Sequence, residues 1–313
     1  MKLPVLRPPL EAVLFGFERI GMVIRIAWLP IVIVILLYGG ALALLAGAGL
    51  NASDFSSDDP ESALEAAFGS GGFVAGYILL TTVMPFAAML VLSCVYVAVI
   101  RAATFTDFEP PSLPFYFALG GRELRYFITQ ILYGILISIS AVIMIGLVAG
   151  AIGLTALAAD AIEGQVKALI VAPGAAVSIW LVIVWLWIVV RFLPVLPIAA
   201  VENRISFQDA WALTKGNFWR LLISGALFIS ILQGVVMILF VLFFIPAALV
   251  IGLLAVAGFG VVGALSFALF ALLAIVLVPA TIALASFTLA AEAAYPARVY
   301  AYLTGCGDDC RIY

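Results

Sequence analysis

Residues 221–291 read LLISGALFISILQGVVMILFVLFFIPAALVIGLLAVAGFGVVGALSFALFALLAIVLVPATIALASFTLAA, 71 consecutive positions without Asp, Glu, Lys or Arg. A charge at mid-bilayer costs roughly 2.5–3.5 kcal/mol on insertion scales, so lipid selects for such a run and water does not. The stretch decides the fold class: an all-α, polytopic integral membrane protein. At about 1.5 Å per residue, a helix needs about 20 residues to cross a ~30 Å hydrocarbon core. Three tight spans would just fit. Two long spans with a turn near Gly258-Phe-Gly260-x-x-Gly263 suit the glycines better.

The rest of the chain follows the same logic. Of 313 residues, 66% are hydrophobic and 10% charged, against about a quarter charged in ordinary globular chains. The longest polar stretches, 50–72, 101–125 and 202–220, are too short for a soluble domain, so 1–313 reads as a single membrane domain. Ala46-Gly47-Ala48 fits a signal-peptide cleavage site, but the apolar stretch from Ile26 to Leu50 is longer than the ~7–15 residues of a signal core, which makes it an uncleaved first span. Six spans are predicted: about 26–50, 73–100, 126–157, 168–190, 221–254 and 264–291. The second is longer than the bilayer needs, so tilt or a break is expected there, with Pro85 as its place.

Charge orients these spans. With six spans and the N-terminus inside, 13 of the 14 Lys and Arg fall on the inner side, and Lys167 alone falls outside. Loops retained in the cytoplasm carry such an excess of cations. Both termini are therefore expected in the cytoplasm, with the acidic loop 50–72 (Asp54, Asp58, Asp59, Glu61, Glu65) outside. A seventh span would move only Arg298 and Arg311. The three odd spans are each preceded by G-x-x-x-R, at Gly21–Arg25, Gly121–Arg125 and Gly216–Arg220. The pattern suggests three helical hairpins, each introduced by an in-plane amphipathic segment; cations gathered at inner helix ends explain it equally well. The third copy is the best formed. Ser206-Phe-Gln-Asp209 resembles a capping box, and Phe207, Ala210, Trp211, Thr214 and Phe218 recur at helical spacing. Glu11, Glu18 and Arg25 fall on one side of the first copy. A short connecting helix packed on protein is the alternative for both.

One segment carries a family likeness. Arg191-Phe-Leu-Pro-Val-Leu-Pro-Ile-Ala-Ala-Val-Glu202, followed by Ala210-Trp-Ala-Leu-Thr-Lys-Gly-Asn-Phe-Trp-Arg220, resembles the membrane domain associated with bacterial glycerophosphoryl diester phosphodiesterases and related six-span families of unassigned role. The match covers about a tenth of the chain. In that family the esterase activity belongs to a separate soluble barrel. The resemblance implies a membrane part without the enzyme, in a bacterial inner membrane.

Candidate sites are sparse. Arg191 precedes ten uncharged residues. It suits either a lipid phosphate, a pair with Glu202 across a helix broken at Pro194 and Pro197, or a snorkelling span end. Glu202, Arg204, Lys215 and Arg220 complete a possible headgroup-contact set. Trp180, Trp185 and Trp187 crowd the fourth span, as helix packing or as an apolar-ligand groove. Gln130 and Gln233 suggest interhelical hydrogen bonds, and Gly146-x-x-x-Gly150 a close-packing face.

The chain contains no His, and Cys306-Gly-Asp-Asp-Cys310 lacks the second ligand pair a zinc site wants. No metal, cofactor, nucleic acid or catalytic constellation is expected. Spans ending at residue 291 also leave no ionisable group inside the membrane, where coupled transporters place them. The expected function is non-enzymatic: lipid association, with a preference for anionic lipid, or scaffolding of other membrane proteins. The alternative is a carrier of a lipid or apolar molecule without charged coupling residues.

Overall fold

A computed structural model of the chain describes residues 2–47, 71–105, 108, 118–160, 166–256 and 263–305. These are mostly helical, with no strand among the described residues. The elements are α1 (Arg7–Glu18), α2 (Ile20–Gly47), α3 (Gly71–Ile78), α4 (Met84–Thr104), α5 (Gly121–Asp160), α6 (Val166–Arg191), α7 (Val195–Glu202), α8 (Phe207–Leu213), α9 (Phe218–Val256) and α10 (Gly263–Thr304). Six segments are long and apolar enough to cross a membrane: Ile20–Ala43, Val74–Thr104, Gly121–Leu157, Val171–Glu202, Phe218–Pro246 and Leu277–Thr304. The uncharged run divides into two helices, α9 and α10, as the glycines predict. The turn itself, 257–262, lies outside the described residues, as do the acidic loop, Cys306, Cys310 and Arg311.

The second span is widened rather than broken, one turn before Pro85. Residues Leu79–Val83 form a single widened turn between α3 and α4, closed by the Met84 N–H donating to Leu79 O. Proline has no N–H, and its ring crowds the carbonyl four residues back. An i→i+5 turn relieves that crowding without ending the helix.

The last span differs from expectation. The helix does not stop at the first charge but runs through Glu292 and Arg298 to Thr304. Its extension is rich in alanine, a strong helix former. Ala290, Ala291, Ala293, Ala294, Ala297 and Ala301 are all at most 1% exposed. These small side chains let α1, α2, α4, α7 and α9 approach α10 closely. Gly16 of α1 lies against the Phe287 ring, where a Cβ would come within 3.0 Å, and the Phe17 ring packs at a tilt against the same ring, centroids 4.5 Å apart.

Nearly all burial is confined to this end. The core takes Leu3, the starts of α2 and α9 (Val23, Ile26, Leu221), the end of α4 (Cys94–Ala103), Tyr126 of α5, and the end of α10. The α5–α6 pair behaves differently. No residue in the most apolar 18-residue window of α5 is buried, and Ile139, Val142, Ile145 and Leu154 are wide open. Gly146 and Gly150 have no neighbour within reach of a Cβ, so within this chain they are not the close-packing face their spacing suggests. Gly174 is the glycine that matters here: Thr155 packs into the space a Cβ would fill.

Two further expectations need correction. Gln233 is exposed, and buried Gln130 Oε1 finds no hydrogen-bond partner among the described residues, so neither amide joins two helices as predicted. The glycines of the three G-x-x-x-R motifs also sit in unlike backbones. Gly21 lies inside α2, Gly121 opens α5, and Gly216 follows α8 with φ +81°. The motif therefore does not mark one repeated local structure.

Candidate functional site at the charged end of the bundle

The segment 191–220 folds as a chain of short caps. α6 stops at Arg191, a tight turn covers 192–194, and α7 begins with Pro194 as its cap. Asn203 ends α7 in the left-handed conformation (φ 58°), which asparagine tolerates. Ser206 Oγ then accepts the Asp209 N–H at 3.2 Å, so the predicted cap of α8 is present. A cap at Ser206 is typically worth about 1 kcal/mol. After Leu213 the chain turns at Gly216 and enters α9.

Arg191 sits inside this fold-back rather than at a free surface. Its Nη1 donates to Trp211 O at 3.1 Å, and the guanidinium carbon lies 5.0 Å from the Trp187 ring and 4.6 Å from the Trp211 ring. The two indoles meet edge-on at 4.9 Å. Such contacts are worth roughly 0.5–2 kcal/mol, more when dry. Thr214, fully buried, donates to Ala210 O at 3.0 Å and lies 3.2 Å from Arg191 O. The aromatic face of α8 turns onto protein: Phe207 and Trp211 both pack against Phe192. The packed-helix alternative therefore describes α8, and its aromatics are not laid down into lipid. Arg191 Nε is buried with no hydrogen-bond partner among the described residues.

Glu202 does not meet Arg191. It accepts Arg204 Nε at 2.5 Å and Tyr300 Oη at 2.5 Å, while Arg204 also reaches Asp209 at 2.7 Å. The hydrogen bond and charge of Glu202, then the charge of Asp209, raise the already high Arg204 pKa, so this guanidinium is a permanent cation. Arg220 Nη1 donates to Leu3 O at 3.0 Å, and Leu3 N–H donates to Asn217 Oδ1 at 3.1 Å. Both backbone groups of a fully buried residue are thereby satisfied, stapling the N-terminus to the start of α9. Arg125 reaches Asn203 O at 3.0 Å, while Arg25 and Lys215 are exposed. Of the headgroup-contact set, Arg191, Arg204 and Arg220 thus already serve the chain's own structure. At the start of α5, Glu123 accepts the Gly120 N–H at 3.0 Å, which is the reciprocal half of a capping box.

The three tryptophans separate. Trp187 belongs to the Arg191 cage. Trp185 donates to Ser140 Oγ at 3.1 Å across the α5–α6 contact, beside an apolar cavity of about 170 Å³. Trp180 is 62% exposed.

Sequence reasoning missed the tyrosines. α10 is tied to four neighbours through phenol hydroxyls: Tyr302 to Glu11 of α1 at 2.6 Å, Tyr300 to Glu202 of α7, Tyr295 to Ser224 of α9 at 3.3 Å, and Tyr96 of α4 to Glu292 at 3.4 Å. The available signal was the clustering of Tyr295, Tyr300 and Tyr302 around Arg298, since amphipathic aromatics collect where apolar and polar surroundings meet. Arg298 adds an ion pair to Glu11 at 3.9 Å. A cavity of about 150 Å³ opens beside it, lined by Glu18, Arg19, Thr104 and Phe108 among others.

These features define a class, an all-helical multi-pass membrane protein. Compared with family models, curated proteins and solved structures, the chain matches none.

Proposed function

We propose that the chain is a non-enzymatic, lipid-associated protein of a bacterial inner membrane, with its packed, cation-rich end in the cytoplasm and its six spans arranged as three hairpins. The observation that carries this reading is the contrast between its ends. Twelve of the cations lie in or beside the buried cluster of helix ends or the loops that cap it, while α5, α6 and much of α9 present apolar side chains outward. Exposed surface of that extent is stable only against lipid or another apolar partner. Exposed cations at a cytoplasmic membrane face attract anionic lipid at about 1 kcal/mol each. Lys215, Arg25 and Arg220 are among the exposed cations of this end, and Arg191 Nε keeps an unused donor. Glu123 is engaged in a cap, and Glu202 and Asp209 in ion pairs with Arg204, which supports a non-catalytic role for these three.

Mass spectrometry of lipids retained after mild-detergent purification tests the proposal. The native chain is expected to hold phosphatidylglycerol or cardiolipin above their membrane abundance. Lys215→Gln combined with Arg220→Gln should lower that enrichment several-fold, and Arg191→Ala should lower it further by collapsing the α8 platform. Equal lipid content in all three samples would refute the headgroup contact.

A further inference from the structure

A shallow groove of about 390 Å³ runs between α9 and α10, lined by Val236 on one side and by Leu284, Ala285, Thr288, Leu289 and Glu292 on the other. Thr288 spends its hydroxyl proton on Leu284 O at 2.9 Å, and Thr281, further along, on Leu277 O at 2.8 Å. The groove therefore presents methyl and aliphatic surface, with Glu292 as its one ionisable group.

Glu292 stands apart from most described acids of the bundle; Glu18 also lacks an ion pair among the described residues, but it shares its cavity with Arg19 and Arg298, whereas no cation lines the groove around Glu292. Glu11 pairs with Arg298, Glu202 and Asp209 share Arg204, and Glu123 caps α5. Glu292 has no ion pair among the described residues; its partner is the neutral Tyr96 hydroxyl at 3.4 Å. Arg298 lies six residues on, about 9 Å further along the axis, and is held by Glu11. The flanking Ala290, Ala291, Ala293 and Ala294 are buried, while Glu292 itself is exposed toward the groove. A carboxylate bordered by apolar surface gains most from a partner that brings both a charge-assisted hydrogen bond and apolar area.

We infer that the α9–α10 groove binds an amphiphile with an ammonium head and an aliphatic tail. The head pairs with Glu292, which Tyr96 orients, and the tail runs along the three turns from Glu292 toward Thr281, about 16 Å. This names a ligand class for the lipid-associated reading and rests on it. The site is separate from the anionic contact at Lys215, because a phosphate placed here would face the Glu292 charge.

Photo-crosslinking tests it in an uncharged detergent without added lipid, using hexadecylamine that carries a diazirine in its chain and mapping the label by mass spectrometry. Label is expected on α9 and α10, competed by hexadecylamine at least tenfold better than by hexadecanol or hexadecanoic acid. Glu292→Gln should cut labelling about tenfold, and Tyr96→Phe two- to fivefold. Ala285→Phe, which fills the groove and keeps the charge, should cut it as much as Glu292→Gln. Equal competition by hexadecanol, or undiminished labelling of Glu292→Gln or Ala285→Phe, overturns the site. Since no anionic lipid enters this measurement, its failure is distinct from failure of the lipid-retention experiment.

Discussion

The end of α10 and the middle of α5 both belong to long continuous helices able to cross a membrane, yet one is among the most buried parts of the molecule and the other among the most exposed. The buried segment is the less apolar of the two; side-chain size and polar tethers account for its burial. α10 brings alanines and tyrosines, so five helices can approach closely and be held by hydroxyl–carboxylate bonds. α5 brings Ile139, Val142, Ile145 and Leu154, for which lipid tails are as good a neighbour as protein. Inside a bilayer, burial is driven by close packing and hydrogen bonds rather than by escape from water.

The contrast breaks most severely through size. Ala294→Leu in α10 should overpack the junction and cost about 1–3 kcal/mol, seen as a clear fall in thermal midpoint in detergent. Gly150→Leu, facing open space in α5, should leave the midpoint within about 0.5 kcal/mol of native. If both changes cost the same, packing is not what separates the two regions.

The tethers come next. Asn217→Ala leaves the buried Leu3 N–H without its acceptor, at a cost of about 1–3 kcal/mol, and should speed proteolysis at the N-terminus. Arg191→Lys keeps charge but loses the planar contact with Trp187 and Trp211. A loss of roughly 0.5–2 kcal/mol is expected, read as faster hydrogen exchange in α8. Protection of α8 equal to native would show that the cage contributes nothing. The smallest effect sharpens the picture of α6. In single-tryptophan variants, brominated lipid should quench Trp180 strongly and Trp185 weakly, since Trp185 faces Ser140. Equal quenching would mean that the α5–α6 contact opens in the membrane.

Several features were legible before any coordinates. Pro85 announced the widened turn, the Gly258–Gly263 cluster the division of the uncharged run, and Ser206 the cap of α8. Each rests on local backbone chemistry that a few residues contain. The helix runs on past Glu292, where the expected span ended, for a physical reason: a helix needs only hydrogen bonds and tolerable side chains to continue. The G-x-x-x-R motifs misled because cations at helix ends arise from orientation alone, whatever the backbone around them.

What the amino-acid sequence determined was where helices exist and that they belong in lipid, because both follow from backbone hydrogen bonding and the cost of burying charge, counted residue by residue. Which face of each helix turns inward was decided only in three dimensions. When the solvent is as apolar as the core, the inward and outward faces of a span are written in the same residues. The choice then falls to alanine contacts, tyrosine hydroxyls and the Arg191 fold-back, each of which joins groups far apart in the chain.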